Sequence, residues 1–319
     1  MQRLDAHTIN QAANFFSREL EQKLPKIWEQ QYANLWAENG MYLPAPSVLE
    51  EGTTAITEEV MESVGRAQEI SDLTDDIPTV SVSIAEAQFK VHHFALAYHY
   101  SILELAREAK AGRSLQTQRI KAVDRGLRQR VNDLLLFGDK KRGSQGLYNL
   151  NGVPLSATSY NPNTATWVQH IDFFVNLLGG VQDRNQLSAG ISYVMTSYKH
   201  TLKLKTTYQS NDSGKTAYDA IMDIFGTQAG GTLKGIIGVN ESKASILEAK
   251  GVKAAGSNLD RIVCMPQDSE VLSYARFAPN YLEPERRSMN FKVAAYVGCS
   301  ELIVHEPEAM QFADIPTAL

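Results

Sequence analysis

The sequence predicts an α+β fold, and three observations carry that prediction. Helical and extended patterns are mixed without the regular strand–helix–strand alternation of a parallel sheet. A long stretch between Thr53 and Tyr100 alternates apolar and polar residues in two legs, as a hairpin does. Another, Ser114 to Phe137, repeats its apolar residues at helical spacing. The chain has 319 residues, 43% of them hydrophobic and 21% charged. That is enough for about two domains and a sizeable core, and it sets aside disordered and fibrous classes.

The elements follow in order. Asn10 to Asn39 reads as a helix, with Phe16, Leu20, Leu24, Ile27 and Leu35 spaced near 3.6, a break at Pro25 and a stop at Gly40. Met41 to Ser47 is an extended connector, because Pro44 and Pro46 turn the residues before them away from helix. The hairpin legs are Thr53 to Met61 and Val80 to Tyr100. In the second leg the apolar residues change parity from Val80, Val82 and Ile84 to Phe89 and Val91. They return at Phe94, Leu96, Tyr98 and Tyr100, which predicts a bulge near His92 and His93. Legs of about 15 residues would extend roughly 50 Å, too far to be buried on the chain's own body. An isolated two-stranded ribbon is marginal in water, so this one asks for a partner surface.

The long helix has Ser114 as its N-cap, a stripe at Ile120, Val123, Leu127, Val131 and Leu134, and Gly138 as its stop. A second amphipathic helix, Thr164 to Leu178, is expected to close at Gly179 and Gly180. A strand over Ile191 to Leu204, a helix over Thr216 to Phe225, and strands at Leu233 to Val239 and Arg261 to Met265 come next. Met289, Phe291, Val293, Ala295 and Val297 then alternate, Gly298 allows a turn, and Leu302 and Val304 resume the strand pattern. No repeat of 20 to 50 residues is visible.

Sites of chemistry are scarce. Ser213-Gly214-Lys215-Thr216 stands where a phosphate-binding loop would be, but the glycine that loop needs at 209 is Gln209. The reading is therefore a surface loop leading into a helix at Thr216. His92 and His93, adjacent in a strand, point to opposite faces, and His99, His170, His200 and His305 have no partner at ligand spacing. Cys264 and Cys299 read as buried thiols. No motif of a hydrolase, zinc site or dinucleotide fold occurs. The expectation is a non-enzyme without cofactor or metal. The first ten residues have no apolar run to mark a secretory signal, and no apolar stretch approaches the roughly 20 residues that span a bilayer. No membrane partner is expected, and the sequons at Asn211 and Asn240 read as chance matches.

Charge is laid out in blocks. From Glu50 to Glu86 ten acids face one base, Arg66; from Ser101 to Arg142 eleven bases face five acids. The net charge of -5 argues against a dedicated DNA-binding protein. Two opposed blocks suit an assembly in which the acidic hairpin of one copy lies over the basic helix of the next. The expected contact residues are Glu58, Glu59, Glu62, Glu69, Asp72, Asp75 and Asp76 on one side and Arg119, Arg125 and Arg128 on the other.

The order of parts is a helical arm, a long hairpin, a long basic helix, a mixed central region and returning strands. The stretch ISDLTDDIPTVSVS, the exit Phe137-Gly138-Asp139 followed by Gly146-Leu147-Tyr148-Asn149, and the closing EPERRSMNFKVAAYVGCSELIVHEPEAMQFADI add residue-level likeness. In these the chain resembles the major capsid proteins of tailed bacteriophages, the Hong Kong 97-type fold. The resemblance implies an N-terminal arm (1–48), an extended β-hairpin loop (49–97), a peripheral domain with a long spine helix (98–146 and 279–319) and an axial domain (147–278). It also implies a shell subunit that self-assembles as pentamers and hexamers around double-stranded DNA, without sequence specificity. Portal, scaffolding and decoration proteins would be its further partners. Its place would be the virion capsid, assembled in the host cytoplasm. Some members link shells covalently through a lysine on the extended loop. Here only Lys90 lies near it, well up the second leg, so that chemistry is not carried over. The chain reaches its amphipathic arm within about ten residues, so no separate scaffolding segment is expected ahead of it. The rival readings are an encapsulin shell around a cargo enzyme and, more remotely, a nucleotide-binding enzyme using the Lys215 loop.

Overall fold

A computed structural model describes residues 35–37, 41–64, 81–111, 115–185, 190–209, 214–227 and 231–318. The helix expected over Asn10 to Asn39 lies outside them except for 35–37, as does the Ser114 cap. In chain order the first elements are β1 (Ser47–Val48), β2 (Ala55–Val64), β3 (Ser81–Ser101), α1 (Ile102–Ala111), α2 (Leu115–Phe137), β4 (Leu155–Ser156) and α3 (Trp167–Asn185). Then come β5 (Tyr193–Thr196), α4 (Tyr198–Thr206), α5 (Ala217–Phe225), β6 (Gly235–Gly238), α6 (Ala244–Ala249) and β7 (Leu259–Met265). The chain closes with β8 (Leu272–Ser273), β9 (Ala275–Arg276), β10 (Asn280–Tyr281), β11 (Glu285–Arg287), β12 (Asn290–Ser300), β13 (Ile303–Val304) and β14 (Gln311–Pro316).

Strand β3 organises the first sheet, whose order is β1-β9-β12-β3-β2, with β10 and β11 also on β12. Residues 81–90 of β3 pair with β2, from Val64↔Ser81 to Ala55↔Lys90, and residues 91–101 pair with β12, from Ser300↔Val91 to Asn290↔Ser101. Both registers are unbroken, so the bulge expected near His92 and His93 is absent. The parity change marks a change of partner instead. Among the described residues the hairpin pairs over the 10 residues of β2, roughly 33 Å at the usual rise. The inner half of the second leg is a central strand of the body. Likewise β12 runs through Gly298 without turning, because Gly298 admits the Phe277 ring, which would lie 2.3 Å from a Cβ there.

Helix α2 covers one face of this sheet. Val123, Leu127, Val131 and Leu134 are buried against Ala295, Val297 and Cys299, and Gly126 brings the helix close enough for a Cβ to meet Leu96 Cδ2 at 2.8 Å. Ile120, expected in the same stripe, is exposed near the helix start. The helix ends as the sequence predicts. Gly138 adopts φ +70°, its N–H donates to the Leu134 carbonyl at 2.8 Å, and the chain doubles back. The Leu147 and Tyr148 N–H groups then satisfy the Leu135 and Leu136 carbonyls at 2.9 Å each. Gly146 is fixed by this return: a Cβ there would sit 2.4 Å from the Gly138 nitrogen.

The second sheet has the order β4-β14-β7-β5-β6. Both its faces are covered. Met195, Val263, Met265 and Phe312 join the core under α2, while Val194, Ile262, Cys264 and Ile315 pack under α3, α4 and α5. Strands buried on both faces lose the apolar/polar alternation, as β7 does. Two expectations fail here. Helix α3 does not stop at Gly179 and Gly180 but continues to Asn185, because Val181 is fully buried in the same stripe as Phe174, Leu177 and Leu178. The strand expected over Ile191 to Leu204 ends at Thr196 and gives way to α4, whose buried His200, Thr201 and Leu204 recur at helical spacing.

Candidate functional site

The root of the hairpin is fastened to the body by polar contacts. His93 Nε2 bonds the Thr53 carbonyl at 3.1 Å, the Val91 N–H donates to the Thr54 carbonyl at 3.0 Å, and Lys90 Nζ reaches the Arg142 carbonyl at 3.5 Å. Buried His92 lies between Arg142, 3.2 Å from its Nδ1, and Glu301, 3.2 Å from its Nε2. Arg142 can only donate, so Nδ1 accepts and the ring proton sits on Nε2, donating to Glu301. Glu51 takes the Tyr296 hydroxyl at 2.8 Å and the Asn280 amide at 2.8 Å, and its carboxylate raises the Tyr296 pKa.

Beyond the root the hairpin presents exposed Ile84, Glu59 and Glu86. Glu59 and Glu86 are direct cross-strand partners, a like-charge pair that weakens the ribbon unless a cation approaches. Of the other expected acids, Glu58 is held at the root, 3.4 Å from His305 Nδ1. The side chain of Glu62, and Glu69, Asp72, Asp75 and Asp76 altogether, lie outside the described residues.

The expected bases do not form one patch. Arg119 is turned into the chain, donating at 3.0 Å both to the His99 carbonyl and to Glu104 Oε2, and its guanidinium holds the Glu104 carboxyl below the usual range. Arg125 and Arg128 share the outward ridge of α2 with Lys121, at i, i+4 and i+7. Arg128 pairs with Asp124 at 2.9 Å, and Arg125 is also engaged. Lys121 was missed because the sequence was read by charge sum and not by helix face.

The catalytic rivals fare poorly. Lys215 Nζ is tied to Asp223 at 2.6 Å, and Thr216 closes a capping box with Asp219, so the hydroxyl that a phosphate loop would offer to a metal serves the helix instead. Among the described residues no cluster of His, Cys, Asp or Glu could hold a metal ion. No described helix is long and apolar enough to cross a membrane. Cys264 and Cys299 are buried, and burial pushes the Cys299 thiol up to about 12. One buried network went unread: the Tyr160 hydroxyl lies 2.5 Å from His170 Nδ1 and 2.8 Å from His200 Nε2, with Thr196 Oγ1 2.7 Å from His200 Nδ1. Burial keeps these histidines neutral, lowering His170 and, more strongly, His200, to about 3.

Comparison with known proteins accords with this geometry. Solved structures share the fold, three of them as follows. The capsid of Myoviridae phage XM1 gives a TM-score of 0.73 at 17% identity, covering 93% of this chain and 97% of that one. The capsid of a native GTA particle gives 0.67 at 12%, covering 99% and 100%. A chain of Gordonia phage Cozz gives 0.61 at 12%, covering 99% and 98%. No curated protein sequence matches. The family described as major capsid protein matches residues 65–315, a span that takes in every strand and helix from β3 to β13 and all but the last residue of β14, and the chain belongs to that family.

Proposed function

We propose that copies of this chain close as pentamers and hexamers into the icosahedral head of a tailed phage, enclosing double-stranded DNA and performing no catalysis themselves. The observation that carries the reading is the hairpin: beyond its root it exposes Ile84 and a Glu59–Glu86 pair, which nothing among the described residues neutralises and a neighbouring copy would cover. A contact between different surfaces of identical copies closes into rings. The capsids among the solved relatives support the same reading. In it, the acidic outer hairpin lies over the outward Lys121, Arg125 and Arg128 ridge of an adjacent copy, and Arg119 is left to hold α1 against α2.

The division into arm (1–48), extended loop (49–97), peripheral domain (98–146 and 279–319) and axial domain (147–278) belongs to the same proposal. Sheet membership supports one change, since β14 pairs with β7 and residues 311–316 then go with the axial part. Portal, scaffolding and decoration proteins, and assembly in the host cytoplasm, follow from the proposed role. Electron microscopy of the purified chain, beside its sedimentation profile, tests it. Closed shells or five- and six-fold rings are expected, with nucleic acid in shells from infected cells. A monodisperse monomer unchanged by concentration and crowding overturns the reading, and protein cargo in place of DNA overturns the phage-head part of it.

A further inference from the structure

The chain that returns from the end of α2 carries two asparagines, and the structure treats them differently. Asn149 Oδ1 accepts from the Gly146 N–H at 2.7 Å, and the residue that follows, Leu150, is buried. Asn151 and Gly152 are both exposed. The main-chain N–H of Asn151 donates to Gln145 Oε1 at 2.8 Å, but among the described residues nothing bonds its side-chain amide or the Gly152 N–H. Gly152 has φ +82°, close to what the third residue of a type II turn requires. A side chain there would be strained by that φ and would meet Pro307, whose Cγ lies 3.3 Å from the place of a Cβ. The turn therefore demands glycine directly after an asparagine whose amide is unheld.

We propose that Asn151 is a site of spontaneous covalent modification, deamidation to isoaspartate and aspartate, with water as the co-reactant. The Gly152 nitrogen gives its proton to solvent and attacks Asn151 Cγ, closing a succinimide ring. The Cγ–Nδ2 bond breaks, and the amide nitrogen takes a proton from solvent and leaves as ammonia. Water then adds to either carbonyl carbon of the ring. Cleavage between the nitrogen and Cγ gives aspartate, and cleavage between the nitrogen and the main-chain carbonyl carbon gives isoaspartate. Nothing is oxidised or reduced. Glycine helps the ring close twice over: it has no Cβ to hinder the approach, and its backbone accepts either sign of φ. Asn149 lacks both advantages, since its side chain is held and a leucine follows it. Each conversion adds one negative charge. Isoaspartate also inserts a methylene into the main chain, shortly after Tyr148, whose N–H satisfies the end of α2. The change runs one way, so it accumulates with the age of the chain, and it is independent of the assembly reading.

The test uses the purified full chain, incubated folded and, as a positive control, unfolded in guanidinium chloride. Peptide mapping by mass spectrometry follows each asparagine, and a methyltransferase specific for isoaspartate labels that product. In the folded chain Asn151 is expected to convert at least tenfold faster than Asn149. Its rate is expected to be at least tenfold higher at pH 8 than at pH 6, because the attacking nitrogen must lose its proton. Asn39, also followed by glycine, lies outside the described residues and is mapped as a separate peptide. Asn151→Gln changes an exposed side chain without a bonding partner among the described residues, so Tm is expected to hold while the label at this peptide is lost, the longer side chain closing its ring far more slowly. An unconverted Asn151 in the folded chain, over a time in which the unfolded chain converts it, overturns the proposal. Equal conversion of Asn149 and Asn151 in the folded chain overturns it too.

Discussion

Tyr160 has one hydroxyl proton for two imidazoles, so it donates to one of His170 and His200 and accepts from the other. Burial, more than these bonds, opposes a charge on either ring, and stability follows from that. Both histidines have folded-state pKa values below the ordinary 6.5, His200 at about 3. Between those limits the unfolded chain binds more protons than the folded one, so stability is complete above pH 6.5 and falls as pH drops below it. For His200 the loss approaches about 1.4 kcal/mol per pH unit, and His170 adds to it in the same direction. Urea midpoints at pH 7.5, 6 and 5 are expected to decline in that order, and a flat profile over the range would show that both rings already meet solvent. Little of this was legible. His170 and His200 are 30 positions apart on different helices, and the residue joining them carries no spacing signal. Gly138 was legible because a helix stop at positive φ is a local event, whereas Gly146 is fixed by a backbone it meets only after the chain has turned back.

At the scale of elements, what could be read was what one stretch of chain decides alone. Helix α2, the capped start of α5, and the alternating β12 follow from spacing within a single segment. The misreadings arose where packing overrules local preference. Gly179 and Gly180 each cost a helix about 1 kcal/mol relative to alanine, yet burying Val181 recovers about 1.5–3 kcal/mol, so α3 runs on. Replacing both glycines with alanine is therefore expected to stabilise the chain. Gly179 faces open space and Gly180 meets only Arg184 NH1, at 3.8 Å. The gain is about 1–2 kcal/mol, read as a higher urea midpoint with unchanged slope; a loss would mean that α3 must bend there. The α4 segment reads as strand because Leu204 is the one apolar residue of its buried face, whose other members, His200 and Thr201, are polar and are not counted by hydrophobic periodicity. The supposed bulge in β3 had a similar origin, since a change of neighbours imitates a change of register.

For the whole molecule, the charge blocks were visible in the sequence but their division of labour was not. Reversing Arg125 and Arg128 to Glu is expected to impair assembly at moderate salt while leaving the circular dichroism of the subunit intact. Reversing Arg119 sets its charge against Glu104, 3.0 Å away, and is expected to lower the stability of the subunit itself. Sedimentation and thermal unfolding of the two variants separate these outcomes, and unchanged assembly of the Arg125/Arg128 variant removes charge pairing as a cause. One consequence of the fold is mechanical. No hinge separates the projecting half of β3 from the half within the body; it is one strand of 21 residues. A pull along the projecting half reaches the body as shear along the 11 residues of β12. Because the bonds of an antiparallel ladder lie perpendicular to the strands, they share that load at once and do not open one after another. A container built from such subunits resists internal pressure through its ladders and not through its turns.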